Sequence, residues 1–403
     1  MRHTVLIFLC AATVIAYIQR LALTAPTKII ESELELSPRG MGIAMAVWYW
    51  GYALMQLPAG WVADRMGSRP ALLLFASLWS ILTAATGLVT GYTGLLLVWG
   101  LMGCAQAGLF PCAAKAIGST FPKENQAFAS GSLGACMAMG AAISHWLSGQ
   151  LLGPLTWQQI LAVYAIPGIC WTMMFAKFAP RWDDRAKVAA TDDVPASPIR
   201  WQKLATDAQM QILCAQQFFR ASAMALFYTW LPRFLRETHG VTEQRAGELA
   251  FWPPLVGMVG GFLGGMFSDR LLKWTGSSRI SRQGLAAASL FVCAMLGLAA
   301  FYVTDTGFVI VLLCGVSFFG MASGVSSYAV AIGYGGKRVA TVFATMNMSG
   351  NIGAGLFPLL VGWLVTTTGD WNLTLLVFAG LFAASAVCWM ALNPKGTLFE
   401  ENA

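Results

Sequence analysis

The chain has 403 residues, of which 57% are apolar and only 11% are charged, and its formal net charge is +7. Soluble globular domains carry about 25% charged residues, so the composition excludes an ordinary soluble protein and indicates a polytopic membrane protein. The basic excess does not indicate a nucleic-acid partner, because the basic residues are spread over short polar segments beside apolar runs. The nine cysteines include no CxxC pair, so we predict no disulfide framework, no metal site and no cofactor.

Twelve apolar runs are each long enough to cross a bilayer as a helix, which takes about 20 residues. In chain order they lie near 5–30, 42–63, 70–90, 93–118, 127–150, 158–178, 209–235, 247–268, 284–303, 306–332, 340–366 and 371–392. A charged segment that contains prolines separates the first six from the last six. We therefore predict an all-α protein with an N-terminal six-helix bundle (1–179), a cytoplasmic linker (180–208), a C-terminal six-helix bundle (209–394) and a cytoplasmic tail (395–403).

Basic residues concentrate on one side of these predicted spans. If the N-terminus is inside, the outer segments hold only five basic residues, namely Lys28, Arg39, Arg233, Arg236 and Arg245. Lysine and arginine are enriched in the cytoplasmic segments of membrane proteins. We therefore predict that the protein lies in the cell (inner) membrane with both termini in the cytoplasm.

Arg20 lies inside the first apolar run, in the stretch Tyr17-Ile18-Gln19-Arg20. Arginine keeps its charge at every physiological pH, and an ionisable group inside a membrane span marks a functional site by default. We predict that Arg20 faces a cavity or a partner inside the bundle. The alternative is an arginine whose head group reaches the outer membrane surface along its aliphatic stem.

The segment after the second span has a counterpart in the second half. Gly60–Arg69 reads GWVADRMGSR, and Gly265–Arg270 reads GMFSDR after the equivalent span. An internal repeat of this size is typical of secondary transporters, so we predict two pseudo-symmetric halves. Charges at helix ends can hold the cytoplasmic face closed in one state and release it in the other, and we assign that gate to Asp64, Arg65, Arg69, Asp269 and Arg270. The alternative is a solvated turn that only sets topology.

The pattern Gly-x-x-x-Asp-Arg-x-Gly-x-Arg is similar to the signature loop of the major facilitator superfamily. Within that superfamily the chain resembles the anion:cation symporter family, which includes sialin, the vesicular glutamate transporters and bacterial sugar-acid permeases. Five stretches carry the narrower resemblance, namely Tyr17–Arg20, Trp50–Gly60, Gln106–Pro111, Tyr228–Leu235 and Asn347–Asn351. The resemblance implies a monomeric carrier with twelve transmembrane helices in two six-helix bundles, which moves small organic anions by alternating access, usually with protons.

Arg220 stands mid-span in the first helix of the second half, where the internal repeat makes it the counterpart of Arg20. Position and resemblance together make Arg20 the first ligand of an anion, since guanidinium–carboxylate contacts are strong in a poorly hydrated cavity. Two cations without a carboxylate inside the bundle predict an anion clamped between Arg20 and Arg220. That anion is either a dianion or a single carboxylate held from both halves.

Neutral polar residues complete the predicted binding site. Tyr52 shares a helix face with Trp48 and Gln56, and the resemblance implies that Tyr52 donates a hydrogen bond to the substrate. Asn347 and Asn351 are four residues apart on one face and can donate to substrate oxygens. The alternative for all of these side chains is helix packing.

No aspartate or glutamate falls within a predicted span except at its end. Gln19 and Gln106 occupy the positions where the resemblance implies carboxylates that take up the coupling proton, and Gln106 is also assigned to the substrate site. Glutamine cannot titrate, although it resembles a protonated carboxylic acid in size and partly in hydrogen bonding. His145 is the only histidine within a span and is a further coupling candidate, with a purely structural role as the alternative.

These observations predict a secondary transporter of a small organic anion and not an enzyme. The resemblance implies proton symport, whereas Gln19 and Gln106 favour an uncoupled uniporter, an exchanger or an exporter. A membrane sensor without transport is a less favoured alternative, because no signalling domain is recognisable. A membrane enzyme is disfavoured because the spans contain no nucleophile–base pair and no cluster of His, Asp and Glu. The expected partners are the anion, in symport a proton, and the lipid bilayer.

Overall fold

The computed structural model describes residues 2–121, 123–181, 201–335, 339–393 and Leu398. Within these ranges the chain is almost entirely helical and forms no β-strand. Most of the predicted linker (180–208) and of the predicted tail (395–403) lies outside the described residues. The described end of the linker contains one short helix, Trp201–Thr206.

Eight helices precede the linker. They are α1 (Arg2–Arg20), α2 (Thr27–Glu33), α3 (Pro38–Met66), α4 (Ser68–Thr86), α5 (Tyr92–Gln106), α6 (Leu109–Thr120), α7 (Lys123–Leu151) and α8 (Trp157–Phe178). Side-chain caps define where several begin: Ser37 accepts from the backbone N–H of Gly40 at α3, and Thr156 forms a capping box with Gln159 at α8.

The helices from the linker onward follow the same pattern of long and short pieces. They are α9 (Trp201–Thr206), α10 (Ala208–Met224), α11 (Leu226–Thr229), α12 (Leu231–His239), α13 (Glu243–Ala250), α14 (Trp252–Thr275), a π-helical turn (Arg279–Gly284), α15 (Leu285–Tyr302), α16 (Thr306–Gly335), α17 (Val339–Thr368) and α18 (Leu373–Ala391). Asp207 caps α10 by accepting from the backbone N–H of Met210 at 2.8 Å.

Nine stretches of the described chain are helices that are long and apolar enough to cross a membrane. They are Arg2–Arg20, Ser68–Thr86, Tyr92–Thr120, Trp157–Phe178, Glu243–Thr275, Arg279–Tyr302, Thr306–Gly335, Val342–Thr368 and Leu373–Ala391. The other three predicted spans also coincide with helices, namely α3, α7 and the run α10–α12. These three contain many Gly, Trp, Tyr or Gln residues, which lowers their hydropathy. Length and hydropathy alone therefore identify nine spans and not twelve.

Four predicted spans are interrupted where the sequence suggested continuous helices. The first ends at Arg20 and resumes at Thr27 directly after Pro26, whose ring disfavours helix in the residue before it. The fourth breaks between Gln106 and Leu109, the seventh is divided into α10, α11 and α12, and the eighth is divided at Phe251 into α13 and α14. Interrupted helices are characteristic of the binding regions of transporters.

The described chain divides into two compact units, and α13 lies with the first of them. The first unit is the described part of 1–197 together with 242–251, and the second is the described part of 198–241 and 252–403. Within the first unit α13 packs closely on α7, because a β-carbon on Gly247 would lie 2.5 Å from the carbonyl oxygen of His145. Glu248 of α13 also accepts from Gln150 of α7 at 3.5 Å and from Arg245 at 2.9 Å.

The closest contact between α3 and α5 depends on Gly103. A β-carbon at Gly103 would overlap the carbonyl oxygen of Trp48, so a larger residue must push the two helices apart. We expect Gly103→Ala to lower the free energy of unfolding by about 1–3 kcal/mol, measured by thermal unfolding of the purified protein in detergent. Gly380→Ala is the matched control, because a β-carbon at Gly380 would meet no atom within 4 Å. Equal stability of the two variants would contradict this packing.

Candidate functional site

The guanidinium of Arg20 lies among four aromatic rings in the first unit. Its Cζ is 3.9 Å from the ring centroid of Trp48, 4.9 Å from that of Tyr49, 5.1 Å from that of Tyr17 and 5.8 Å from that of Tyr52. Nη1 donates to the hydroxyl of Tyr17 at 3.2 Å. A cation held against ring faces gains cation–π attraction of about 2 kcal/mol or more where water is excluded.

These rings are positioned by α1 and α3. Tyr17 precedes Arg20 by three residues on α1, and α3 presents Trp48, Tyr49 and Tyr52 from successive turns. Trp48 stacks on Tyr52 with centroids 5.2 Å apart, and its Nε1 donates to Sδ of Met102 on α5 at 2.9 Å. All four rings are buried, so they form a fixed wall and do not depend on a ligand for their position.

The guanidinium of Arg20 stacks on aromatic rings through its face, and not all of its N–H groups have hydrogen-bond partners among the described atoms. The side chain is half-buried, and its buried Nε has no hydrogen-bond partner among the described atoms. Among the described side chains Arg20 also forms no ion pair. Stacking uses the face of a guanidinium and leaves its in-plane N–H groups for an anion. The structure thus agrees with a bundle-facing Arg20 and brings Tyr52 to it through the ring of the tyrosine.

Arg220 has a different environment in the second unit. It is 7% exposed on α10, and both Nε and Nη2 donate to Oε1 of Gln217, at 3.3 Å and 3.2 Å. Nη1 donates to the carbonyl oxygen of Gly320 on α16 at 3.2 Å. Every one of these acceptors is neutral, so the charge of Arg220 is hydrogen-bonded but not neutralised by a described carboxylate.

Gln19 and Gln106 both donate to backbone carbonyl groups of the first unit. Nε2 of Gln19 donates to the carbonyl oxygen of Tyr164 on α8 at 2.8 Å, and Nε2 of Gln106 donates to that of Ala16 on α1 at 2.9 Å. Both side chains are buried. An ionised carboxylate has no proton to donate, so at both positions the amide makes a bond that a carboxylic acid could make only in its protonated form.

The remaining predicted site residues are the coupling candidate His145 on α7 and the predicted binding residues Asn347 and Asn351 on α17. His145 is fully buried on α7 beside α13. Asn347 and Asn351 are half-buried on α17, where Nδ2 of Asn351 donates to the backbone carbonyl of Asn347 at 2.9 Å. Their helix packs against α10 at Gly350, where a β-carbon would lie 2.9 Å from Cγ of Gln217. Asn347 and Asn351 therefore lie on either side of Gly350 in the sequence, and Gly350 is the point where α17 packs against Gln217.

The predicted gate residues of the first unit make contacts within that unit. Arg69 donates from Nη2 to the carbonyl oxygen of Ala176 at 2.9 Å, at the C-terminal end of α8, where helix carbonyls favour a cation. Arg65 lies over the ring of Trp61 at 4.0 Å. The side chain of Asp64 lies outside the described part of the structure.

The corresponding residues of the second unit form a tighter cluster. Nη2 of Arg282 is 2.6 Å from Oδ1 of Asp269, and Nη1 of Arg282 donates to Oγ of Ser268 at 3.0 Å. Arg282 belongs to the π-helical turn, a distortion that frequently occurs at functional sites. Arg270 instead lies over the ring of Trp274 at 5.0 Å. Within the described residues, Asp269 thus pairs with Arg282, which was not among the predicted gate residues.

A sequence model of the Major Facilitator Superfamily matches residues 6–349. The chain belongs to the Major Facilitator Superfamily. The superfamily resemblance of the signature loop is thereby confirmed, as is the all-α multi-pass membrane fold. Members of the Major Facilitator Superfamily are transporters, so the prediction that the chain is not an enzyme is also confirmed.

Several known proteins are similar to the chain over nearly its whole length. It is 24% identical to a probable sulfoacetate transporter of Cupriavidus necator, with 98% of this chain and 95% of that protein covered. It is 27% identical to a probable galactarate/D-glucarate transporter of Bacillus subtilis, with 96% and 90% covered. Among solved structures, a bacterial homologue of the human lysosomal transporter Spinster has the same fold, with a TM-score of 0.75, 19% identity, and coverage of 97% of this chain and 94% of that one.

Several residues that contact Arg20 or Arg220 were not predicted from the sequence. Tyr17 could have been found, because it lies three residues before Arg20 on the same helix. Gln217 could have been found in the same way, because it lies three residues before Arg220 on the same helix. Tyr49 carried no such signal, because its approach to Arg20 depends on how α3 packs against α1. Among the described residues there is no group of three or more His, Cys, Asp and Glu side chains that could hold a metal ion.

Proposed function

We propose that the protein is a secondary transporter of small organic anions that works by alternating access, with Arg20 as the principal anion ligand. The observation that carries this proposal is the half-buried guanidinium of Arg20, stacked on Trp48 and without a carboxylate partner among the described side chains. An uncompensated charge inside a membrane protein is costly, and an anionic substrate offsets that cost.

The proposed substrate is a small organic acid with two acidic groups. The names of the relatives support this class, because sulfoacetate carries a sulfonate and a carboxylate, and galactarate and D-glucarate each carry two carboxylates. In this proposal Arg20 and Arg220 both bind the transported anion, while Gln106, Tyr52, Asn347 and Asn351 contribute neutral contacts. The charge cluster of Asp269 and Arg282 and the contacts of Arg65 and Arg69 belong to the cytoplasmic gate.

The proposed mechanism does not require a proton. Gln19 and Gln106 each donate to a backbone carbonyl, as protonated carboxylic acids would, and neither amide can release a proton at physiological pH. This favours an exchanger or a uniporter over proton symport. The alternative is symport through His145, the buried histidine of α7. We further propose that the protein is a monomer of the inner membrane with both termini in the cytoplasm.

Transport by purified protein in liposomes tests this function. Liposomes loaded with sulfoacetate, galactarate or D-glucarate are diluted into the same labelled anion, and we expect saturable counterflow that protein-free liposomes lack. An imposed pH gradient should not drive accumulation. An inside-negative potential should oppose net uptake by about 2.3 kcal/mol per charge per 100 mV. Absence of counterflow for every organic anion tried would contradict the proposed function, and accumulation driven by a pH gradient would contradict the uncoupled mechanism.

A further inference from the structure

The edge of Arg220 that normally binds a carboxylate is already occupied by Gln217. Arginine binds carboxylates through two parallel N–H groups on one edge of the guanidinium. In this structure Nε and Nη2 both donate to the single oxygen Oε1 of Gln217, at 3.3 Å and 3.2 Å. Gln217 precedes Arg220 by three residues on α10 and is 3% exposed. The amide oxygen therefore takes the place of an anion without carrying its charge.

The guanidinium is also held from a second direction. Its Nη1 donates to the carbonyl oxygen of Gly320 on α16 at 3.2 Å, which fixes the charged group independently of Gln217. Gly350 of α17 leaves the space in which Gln217 lies, because a β-carbon there would be 2.9 Å from its Cγ. One N–H group thus anchors Arg220, while the Nε–Nη2 edge is capped by a side chain.

An anion is a better partner for that edge than an amide. A carboxylate can accept from Nε and Nη2 with two oxygens, in the bidentate arrangement that guanidinium groups favour, whereas Gln217 offers one oxygen to both. A carboxylate also supplies the opposite charge that a buried cation needs to offset its desolvation. Arg20 presents no such cap, since its Nε has no partner among the described atoms. The two arginines are therefore unequal: the buried Nε of Arg20 has no hydrogen-bond partner among the described atoms, whereas the Nε–Nη2 edge of Arg220 must exchange Gln217 for an anionic group.

We propose that Gln217 determines specificity for dianions, by capping Arg220 in the empty transporter and giving way to the second acidic group of the substrate. A monoanion bound at Arg20 leaves the Arg220–Gln217 contact in place. A dianion replaces it with a contact between opposite charges and gains affinity from the exchange. This inference rests on the proposed function, since it requires that an organic anion binds at the arginines.

Matched anions and two substitutions test the exchange. Sulfoacetate is compared with its monoanionic amide, and D-glucarate with D-gluconate, by calorimetric titration of the purified full-length protein. Gln217→Glu should neutralise Arg220 permanently, lowering affinity for both dianions at least tenfold and leaving the monoanions unchanged. Gln217→Met removes the competing oxygen and should strengthen the binding of the dianions. Gln211→Glu adds the same charge at an exposed position of the same helix and should leave the ratio of dianion to monoanion affinity unchanged.

The outcomes separate this inference from the function on which it rests. If the wild-type protein binds neither the dianions nor the monoanions, the proposed function fails, and the inference fails with it. If it binds dianions more tightly than monoanions and both Gln217 variants keep the wild-type ratio, the inference alone is overturned. Should Gln217→Glu not give folded protein, Gln217→Met decides, because unchanged or weaker dianion binding by that variant contradicts a displaceable cap.

Discussion

Substitution of Arg20 by lysine should severely reduce transport even though the positive charge is kept. The guanidinium lies 3.9 Å from the ring centroid of Trp48 and presents its edge outside that stack. An ammonium group is compact and strongly hydrated, so it has no planar face to stack on the ring and cannot form two parallel hydrogen bonds to one carboxylate. Loss of both contacts amounts to about 3 kcal/mol, and we expect kcat/KM for the transported anion to fall on the order of 100-fold.

The exposed Arg39 provides the control for this substitution. It lies near the beginning of α3, and Arg39→Lys should transport at the wild-type rate. Trp48→Leu removes the stacking surface but keeps the guanidinium, so it should give an intermediate loss of transport. Both measurements use counterflow in liposomes with the amount of folded protein matched by size-exclusion chromatography. Wild-type transport by Arg20→Lys would show that Arg20 is not an anion ligand.

The fold was largely predictable because the bilayer imposes strong constraints on the sequence. Without water to satisfy them, backbone N–H and C=O groups must be paired inside helices, which gives long apolar runs between polar segments. The interruptions were only partly predictable: Pro26 is a local signal for the first of them, whereas the break between Gln106 and Leu109 involves a distant contact. A β-carbon at Gly108, for example, would overlap the ring of Phe75 on α4, and no pattern around residue 108 identifies that neighbour.

The charged residues of the candidate site could be predicted from the sequence, but several of the groups that contact them could not. Arg20 and Arg220 can be identified from the sequence because charged residues inside membrane spans are rare, energetically costly and usually functional. Their surroundings come from other helices: Tyr49 reaches Arg20 from α3, and the carbonyl oxygen of Gly320 reaches Arg220 from α16. The residues proposed for the gate show the same limit, because Asp269 pairs with Arg282 thirteen residues later through a π-helical turn. Helix registry of this kind is set by packing and not by local sequence.

The contacts of the two arginines also explain how an anion could be released. Cation–π contacts and hydrogen bonds to neutral oxygens stabilise both charges without a full negative charge nearby. The empty site is thereby less costly than a bare buried cation, so the anion does not have to bind extremely tightly. A transporter requires this, because substrate that is held too strongly in one state does not leave in the next. In proton-coupled mechanisms carboxylates can provide such compensation, and here neutral groups provide it.

Substitution of Gln19 by glutamate should make transport dependent on pH. Nε2 of Gln19 donates to the carbonyl oxygen of Tyr164 at 2.8 Å, and the side chain has no solvent exposure. A protonated glutamic acid can make the same bond, whereas an ionised glutamate would be buried with an oxygen facing that carbonyl. The variant should therefore behave like the wild-type protein at low pH and lose activity as the pH rises.

The sign of the effect on stability follows from the same contact. The folded Gln19→Glu protein favours the bound proton more than its unfolded chain does, so the contribution of the new carboxyl group to stability is present at low pH and is lost as the pH rises. Thermal unfolding between about pH 5 and pH 8 should show a falling midpoint for Gln19→Glu and no such fall for Gln211→Glu, whose glutamate is exposed. Transport should show the matching change: counterflow by Gln19→Glu should fall as the pH rises over this range, whereas counterflow by the wild-type protein should not, because Gln19 carries no titrating proton. A Gln19→Glu protein that transports equally at both ends of this pH range would contradict the assigned role of Gln19 as a fixed substitute for a protonated acid.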